Sequence, residues 1–251
     1  MIAIIFDRGV LLNWYAFLIG IGTSLALLRV FQEQKVGERV TWAIAALWLL
    51  LGAWLGARIA FFIWQPAAIL DFGWQAFGLR EGGMVWSGAV FGAWISVWIL
   101  SLAKGKSFLE TADRLLIMLP PLVIMSWLAG WFSGSGYGQI MSSTWWIPIT
   151  LDDHFEQLPR FPLQMVAAFS IFLLFLLFEL RVSMNKTGMK AAIIWSIFSV
   201  HTLIFSFLRA DLRPEWMGIP WDIWFVFLCL FWALILVWTA YFYKPEKKTT
   251  Q

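Results

Sequence analysis

The sequence predicts an all-α integral membrane protein of about seven transmembrane helices, with its N-terminus outside and its C-terminus in the cytoplasm. Three observations carry that prediction. Hydrophobic residues make up 61% of the 251 residues and charged residues 13%, with 19 Trp and 23 Phe, a composition far from that of a water-soluble domain. Apolar runs recur at about 10–31, 41–64, 83–103, 114–133, 162–180, 191–210 and 221–243. Several reach the roughly 20 residues a helix needs to cross about 30 Å of hydrocarbon, whereas a β-barrel would show short alternating segments. Basic residues, finally, alternate between successive connections. Arg29, Lys35 and Arg39 follow the first run, Lys104, Lys106 and Arg114 the third, Arg181, Lys186 and Lys190 the fifth, and Lys244, Lys247 and Lys248 the last. The other loops hold only Arg8, Arg80, Arg160 and Arg213, so the positive-inside bias places the richer side in the cytoplasm.

Taken in order, the first run follows Met-Ile-Ala-Ile-Ile-Phe-Asp-Arg. That segment lacks a charged n-region with a small-residue cleavage site, so no cleaved signal is expected. The second run carries Arg58 near its outer end. Gly82-Gly83 blurs the start of the third, and a re-entrant segment around 65–82 stays open. Pro120-Pro121 predicts a kink or break in the fourth, because proline removes a helical N–H and crowds the preceding turn. The longest polar segment, 134–161, is itself rich in Gly and Trp. With no repeat or soluble appendage in view, a single membrane domain over 1–251 is expected. The outer loops gather the acids Asp71, Glu81, Asp152, Asp153, Glu156, Asp211, Glu215 and Asp222, so the net charge of +3 conceals a strong asymmetry. The sole cysteine, Cys229, lies inside the seventh run, which excludes an intramolecular disulfide and a thiolate metal cluster.

Chemistry in such a chain is sought where ionisable groups lie in or beside apolar runs, since an unpaired charge there costs at least about 2.5 kcal/mol. Arg58, Arg80 and Arg209 qualify. All three fall toward the outer side, where guanidiniums bind a phosphate bidentately, although snorkelling or pairing with Asp71, Glu81 or Asp211 is the alternative. Gly83, Ser87, Gly88 and Gly92 recur at four- or five-residue steps, a spacing that predicts close helix packing. Ser133-Gly-Ser-Gly-Tyr-Gly138 has the composition of an anion nest of backbone N–H groups. His154 sits among Asp152, Asp153 and Glu156 in an acidic loop and reads as a solvated surface group. His201, two turns before Arg209, reads as a packed histidine with a local hydrogen bond. Neither has the partners of a triad or a metal set, so no metal site is expected.

Together these segments, in this order, resemble the bacterial prolipoprotein diacylglyceryl transferases along nearly the whole chain. Asn13-Trp14-Tyr15-Ala16 is similar to that family's Trp-Tyr-Gly opening of the first span, and Leu55-Gly56-Ala57-Arg58 to its Gly-Ala-Arg. Gly82-Gly83-Met84-Val85-Trp86-Ser87-Gly88 falls on its Gly-Gly-Leu-x-x-His-Gly. Ser107-Phe-Leu-Glu-Thr-Ala-Asp113 with Pro120 resembles its cytoplasmic start of span four, Phe161-Pro162-Leu163-Gln164 its His-Pro-x-Gln, and Phe207-Leu208-Arg209 its Phe-Phe-Arg. The resemblance implies a multi-pass protein of the bacterial plasma (inner) membrane. It also implies descent from enzymes that move a diacylglyceryl group from phosphatidylglycerol to the lipobox cysteine thiol of a preprolipoprotein, releasing glycerol-1-phosphate.

The chemistry of that family is largely replaced. Its Gly-Arg-x-Gly-Asn-Phe-x-Asn-Gly-Glu-x-Tyr-Gly stands here as Ser126-Trp-Leu-Ala-Gly-Trp-Phe-Ser-Gly-Ser-Gly-Tyr-Gly138. Trp127 takes the place of the arginine, Gly130 and Ser133 of the two asparagines and Ser135 of the glutamate. Ser87 stands for the upstream histidine, and Ala167 for the glutamate after His-Pro-x-Gln. The transfer needs a cation on the phosphate and a proton acceptor for the thiol, and serine or glycine supplies neither. The sequence therefore predicts a catalytically inactive relative that binds a phosphatidylglycerol-like phospholipid through Arg58, Arg209, Tyr15, Tyr137 and Gly138. It would serve as a structural or assembly subunit of a larger membrane complex, with membrane-embedded protein partners, no nucleic acid and no cofactor. Trp94, Trp98, Trp195 and Trp232, inside spans, are candidate contacts to partner, lipid or pigment. Two alternatives are an active phosphatidylglycerol-dependent diacylglyceryl transferase with an altered site, and a transporter. Against the transporter stands the scarcity of acids inside spans, where only Glu179 approaches one.

Overall fold

The computed structural model describes residues 3–5, 11–66, 83–142, 146–151, 156–181 and 186–243. Arg80, Glu81, Gly82, Asp71, Asp152, Asp153 and His154 lie outside the described residues, as does most of the 65–82 segment. Among the described residues, seven helices are long and apolar enough to cross a membrane, and they fall on the seven expected runs. The first is α1 (Trp14–Glu33), whose open N–H groups gain one acceptor from Asn13 Oδ1, 3.3 Å from Ala16 N. The second is α2 (Arg39–Trp64) and the third α3 (Trp86–Ala103). The fourth is broken into α4 (Phe108–Leu115), a 3₁₀ turn Leu116–Met118, and α5 (Leu119–Ser133). The last three are α6 (Leu163–Arg181), α7 (Met189–Leu208) and α8 (Trp221–Phe242).

The break in the fourth span falls where the prolines demand it. Pro120 and Pro121 occupy the first turn of α5, where a missing N–H costs no intrahelical bond, directly after the 3₁₀ turn. The span also starts earlier than its apolar run, at Phe108 rather than near 114. Glu110 holds the added turns together, accepting from Lys106 Nζ at 2.6 Å and Arg114 Nη2 at 3.0 Å. Among the described residues, one short antiparallel strand pair precedes the first helix, β1 (Ala3–Ile5) with β2 (Leu11–Asn13), and two lie between helices, β3 (Ile149–Leu151) with β4 (Gln157–Pro159) and β5 (Glu215–Trp216) with β6 (Ile219–Pro220).

The chain divides into two compact units, Val30–Leu115 and Met1–Arg29 with Leu116–Gln251. In the Val30–Leu115 unit, α2 and α3 meet backbone to backbone through glycines. A Cβ placed on Gly56 would lie 2.3 Å from the Gly88 carbonyl oxygen, and one on Gly92 would lie 2.1 Å from Gly52 O. Glycine at four-residue steps on both helices is what allows that approach, and in lipid, where exclusion from water cannot drive association, it yields dispersion contact along the whole seam. At the other end of the same unit Arg114 donates to Gln34 Oε1 at 2.8 Å and to Glu38, and its guanidinium lies 4.8 Å from the centre of the Trp42 ring.

The larger unit is packed more conventionally. Gly22 of α1 sits against Met125 and the Pro121 carbonyl of α5, Trp14 stacks on Phe132 with centroids 5.6 Å apart, and Arg29 pairs with Glu179 at 2.5 Å. Between α7 and α8, the buried Trp195 donates its indole N–H to Cys229 O at 3.0 Å. Of the tryptophans inside spans, Trp195 is therefore core, Trp94 stacks on Phe108 at 5.7 Å, and Trp98 is 57% exposed on α3.

The glycine seam makes a sharp stability prediction. Gly92→Ala forces a methyl onto backbone that side-chain rotation cannot clear, and the expected cost exceeds the about 1–3 kcal/mol of ordinary overpacking. Gly20→Ala, with nothing within 4 Å of the added carbon, is expected to be neutral or to gain up to about 1 kcal/mol from helix propensity. Thermal unfolding of the purified protein in detergent checks both, and a Gly92→Ala midpoint equal to wild type would refute the seam.

Candidate functional site

The residues singled out between 127 and 138 gather at the end of α5. That helix stops because Gly134 turns left-handed (φ 69°, ψ 26°) and returns its N–H to Gly130 O. Gly136 also has a positive φ of 69°, so glycine suits both positions. Gly130 O also accepts from Ser135 N at 3.1 Å and Ser133 Oγ at 3.2 Å, and the Ser133 and Ser135 hydroxyls lie 2.8 Å apart. Ser135 O takes the amide of the buried Gln164 at 3.0 Å, Tyr137 O takes Ala210 N at 2.9 Å, and Gln139 O takes Phe161 N at 3.0 Å. The loop's polar groups are thus directed at the protein itself. Gly138 completes the fit, since a Cβ there would lie 2.7 Å from Phe161 O.

Arg209 reaches this loop from the end of α7. The helix ends at Leu208 and Arg209 is extended (φ −70°, ψ 141°), which brings Asp211 back onto its guanidinium. Nε donates to Asp211 Oδ1 at 2.9 Å and Nη2 to Oδ2, a bidentate pair of the strong kind. Nη1 faces Asp222 Oδ2 at 3.6 Å. Arg213 donates to the same Asp222 oxygen at 2.6 Å and to Ser206 O, a C-terminal carbonyl of α7, at 3.0 Å. Asp211 Oδ2 also accepts the Gly136 N–H at 3.3 Å. Two guanidiniums and two carboxylates therefore form a cluster against the glycine loop, with the Asp211 carboxylate on the Gly136 N–H.

Trp127, on α5, fills the space behind the loop. A Cβ on Gly136 would sit 3.4 Å from its ring and 3.8 Å from Arg209 Nε. Its other neighbours are Phe205, with ring centroids 5.8 Å apart, and His201, edge-on at 6.3 Å. His201 is buried, stacked on Phe205 at 4.3 Å, with Nε2 2.9 Å from Ser170 Oγ, the packed arrangement its position in the run suggested. Ala167 lies in the core with Leu163 and Phe205. Tyr137 is 3% exposed, with the Arg160 guanidinium 4.2 Å from its ring centre. Tyr15, by contrast, is 37% exposed on α1.

Arg58 and Ser87 belong to the Val30–Leu115 unit. Arg58 is 5% exposed. Its Nη1 donates to Gly83 O at 2.8 Å, and its guanidinium lies 5.4 and 5.2 Å from the centres of Phe61 and Phe62. Val85 N adds a bond to Ala57 O at 3.2 Å. Gly83 has φ 71°, and a Cβ on it would strike the Phe61 ring at 2.6 Å. Two segments far apart in sequence, 55–58 and 83–88, are thereby tied, with the half-buried Ser87 in the first turn of α3.

A family model described as prolipoprotein diacylglyceryl transferase matches residues 3–239. The chain belongs to that family. Curated relatives of the same kind, named phosphatidylglycerol–prolipoprotein diacylglyceryl transferase, are 26% identical over 230 residues in Ectopseudomonas mendocina, covering 87% of this chain and 85% of the relative. One from Pseudomonas fluorescens is 26% identical over 256 residues, covering 96% and 93%. One from Clostridioides difficile is 24% identical over 206 residues, covering 81% of each. With seven apolar helices and bacterial relatives, this transferase-family chain is a multi-pass inner-membrane protein.

Several residues of the site carried no individual signal in the sequence. Arg160, Arg213 and Asp222 counted there only as outer-side charges and Asp211 as a candidate partner for an arginine, yet Asp211 accepts the Gly136 N–H and Arg160 lies over the Tyr137 ring. For Arg58, the bond to Gly83 O predicts that Arg58→Gln destabilises the protein by about 1.5–3 kcal/mol, the range for a hydrogen bond from a charged donor. Thermal unfolding in lipid-free detergent is the measurement, and an unchanged midpoint would show that Arg58 contributes nothing to the fold.

Proposed function

We propose that this chain is a catalytically inactive member of the prolipoprotein diacylglyceryl transferase family that retains a phospholipid site and serves as a structural or assembly subunit of a membrane complex. The observation that carries this reading is the state of the positions where the family resemblance places chemistry. Ser87, Trp127, Gly130, Ser133, Ser135 and Ala167 offer no side chain that titrates near neutral pH. Trp127 and Ala167 are packed against apolar neighbours, while Ser133 and Ser135 bond each other and the end of α5. Transfer of a diacylglyceryl group to a cysteine thiol requires the thiol proton to leave and charge on the departing glycerol phosphate to be stabilised. Loss of a single such group commonly costs about 10²–10³ in rate, and here most of the set is replaced together.

Phosphatidylglycerol, for which the relatives are named, supports a phospholipid as the small-molecule partner. Arg209, with Tyr137 and Gly138 beside it, supports a headgroup position in the larger unit, and Arg58 is a second arginine near the outer end of its span. The exposed aromatic residues along the helices, Trp98 and Trp238 among them, support lipid or a membrane-embedded protein as the surrounding partner.

Two measurements test this function. Purified protein incubated with labelled phosphatidylglycerol and a lipobox peptide is expected to give no thioether product above a boiled control; product above it would overturn the inactivity. Extraction in mild detergent is expected to bring a membrane protein partner through affinity purification, and a stable monomer emerging alone would overturn the subunit role.

A further inference from the structure

We infer that Asp211 is a specificity-determining residue, an intramolecular anion that competes with a phospholipid phosphate for the oxyanion site formed by Arg209 and the Gly136 N–H and so sets how tightly a headgroup is held there. The inference rests on the phospholipid-binding part of the proposed function and deepens it. The donors are arranged as a phosphate would require, with two parallel N–H groups of one guanidinium and a backbone N–H from a glycine loop meeting at one point. That point is occupied by the Asp211 carboxylate, whose side chain is only 8% exposed. The third nitrogen of Arg209 faces Asp222 at 3.6 Å, and Arg213 is engaged with Asp222 at 2.6 Å and lies 3.7 Å from Asp211.

Charge and proximity both favour the internal anion. Arg209 and Arg213 against Asp211 and Asp222 sum to zero, so a further anion entering here meets no net attraction and leaves a carboxylate uncompensated in a partly buried site. Asp211 stands two residues from Arg209 on a chain already turned toward it, so its pairing loses little freedom. A lipid phosphate must lose much more to take the same nitrogens. Trp127 and the glycine loop back the site from behind, which leaves displacement of Asp211 as the way to present those donors. The wild-type chain therefore holds an anionic headgroup here weakly, and removal of one carboxylate strengthens the hold of the same cradle.

The test titrates the purified full-length protein, delipidated in detergent, with short-chain phosphatidylglycerol and phosphatidylcholine, counting bound lipid by native mass spectrometry. Asp211→Asn, nearly isosteric, is expected to bind phosphatidylglycerol at least about ten-fold more tightly than wild type, with phosphatidylcholine little changed, the gain corresponding to one factor of ten in an equilibrium constant. Asp211→Ser is a second variant with the same expectation, should the asparagine variant not fold. Asp211→Asn combined with Arg209→Gln is expected to lose the gain. Inorganic phosphate is the competing probe: displacement of the lipid identifies phosphate alone as the ligand chemistry, and persistence identifies the lipid headgroup, both consistent with an oxyanion site. Equal phosphatidylglycerol affinity in wild type and both single variants, or a gain that survives Arg209→Gln, overturns the role of Asp211. Absence of binding by either lipid to every form overturns the phospholipid-binding reading as well, so the two failures are distinguishable.

Discussion

The carboxylate of Asp211 is the interaction on which the polar part of the larger unit depends. It joins the end of α7, through Arg209, to the glycine loop after α5, through the Gly136 N–H, and lies 3.7 Å from Arg213, whose partner Asp222 stands in the first turn of α8. In a low-dielectric setting a guanidinium left without a partner is costly, and the pair is stable because both members are bonded on several sides. The same closure that satisfies these charges makes the loop a self-contained structure, with Gly130, Ser135 and Tyr137 presenting their carbonyls to neighbouring segments. Order at this end of the unit is thus bought at the expense of an open anion-binding surface.

The Val30–Leu115 unit solves a different problem by different means. Two apolar helices in lipid have no hydrophobic incentive to associate, so contact must come from closeness, and Gly52, Gly56, Gly88 and Gly92 provide it. Arg58 then ties the start of α3 to α2 through Gly83 O. A buried arginine donating to a main-chain carbonyl, flanked by two phenylalanine rings, is as much part of the packing as the glycines are.

Much of this was legible in the residues. Span number followed from apolar length, because membrane thickness imposes a single scale on every crossing, and the Pro120-Pro121 break followed from the chemistry of proline. The packing use of Gly88 and Gly92 followed from their spacing. What stayed hidden depended on side chains converging from distant segments. Arg160 over Tyr137, Gln164 on Ser135 O, and Asp211 on the Gly136 N–H each pair groups whose separation in sequence carries no period, whereas the pairing of Asp211 with an outer arginine was open in the sequence. Start points were also off where local charge outweighed hydropathy, as at Phe108, where Lys106, Glu110 and Arg114 extend the helix beyond its apolar run.

The bond from Arg58 to Gly83 O has a consequence for how relatedness is read. Replacing that arginine penalises folding whether or not any reaction takes place nearby, and the glycine at 83 is held by its positive φ and by Phe61 in the same way. Selection for a folded chain alone would keep both residues in place after catalysis had been lost. A search keyed to Gly-Ala-Arg and Gly-Gly would go on scoring such a chain as a working enzyme. In this chain Arg58 and Gly83 have a structural reason to persist, and inference of activity should rest on positions that have none.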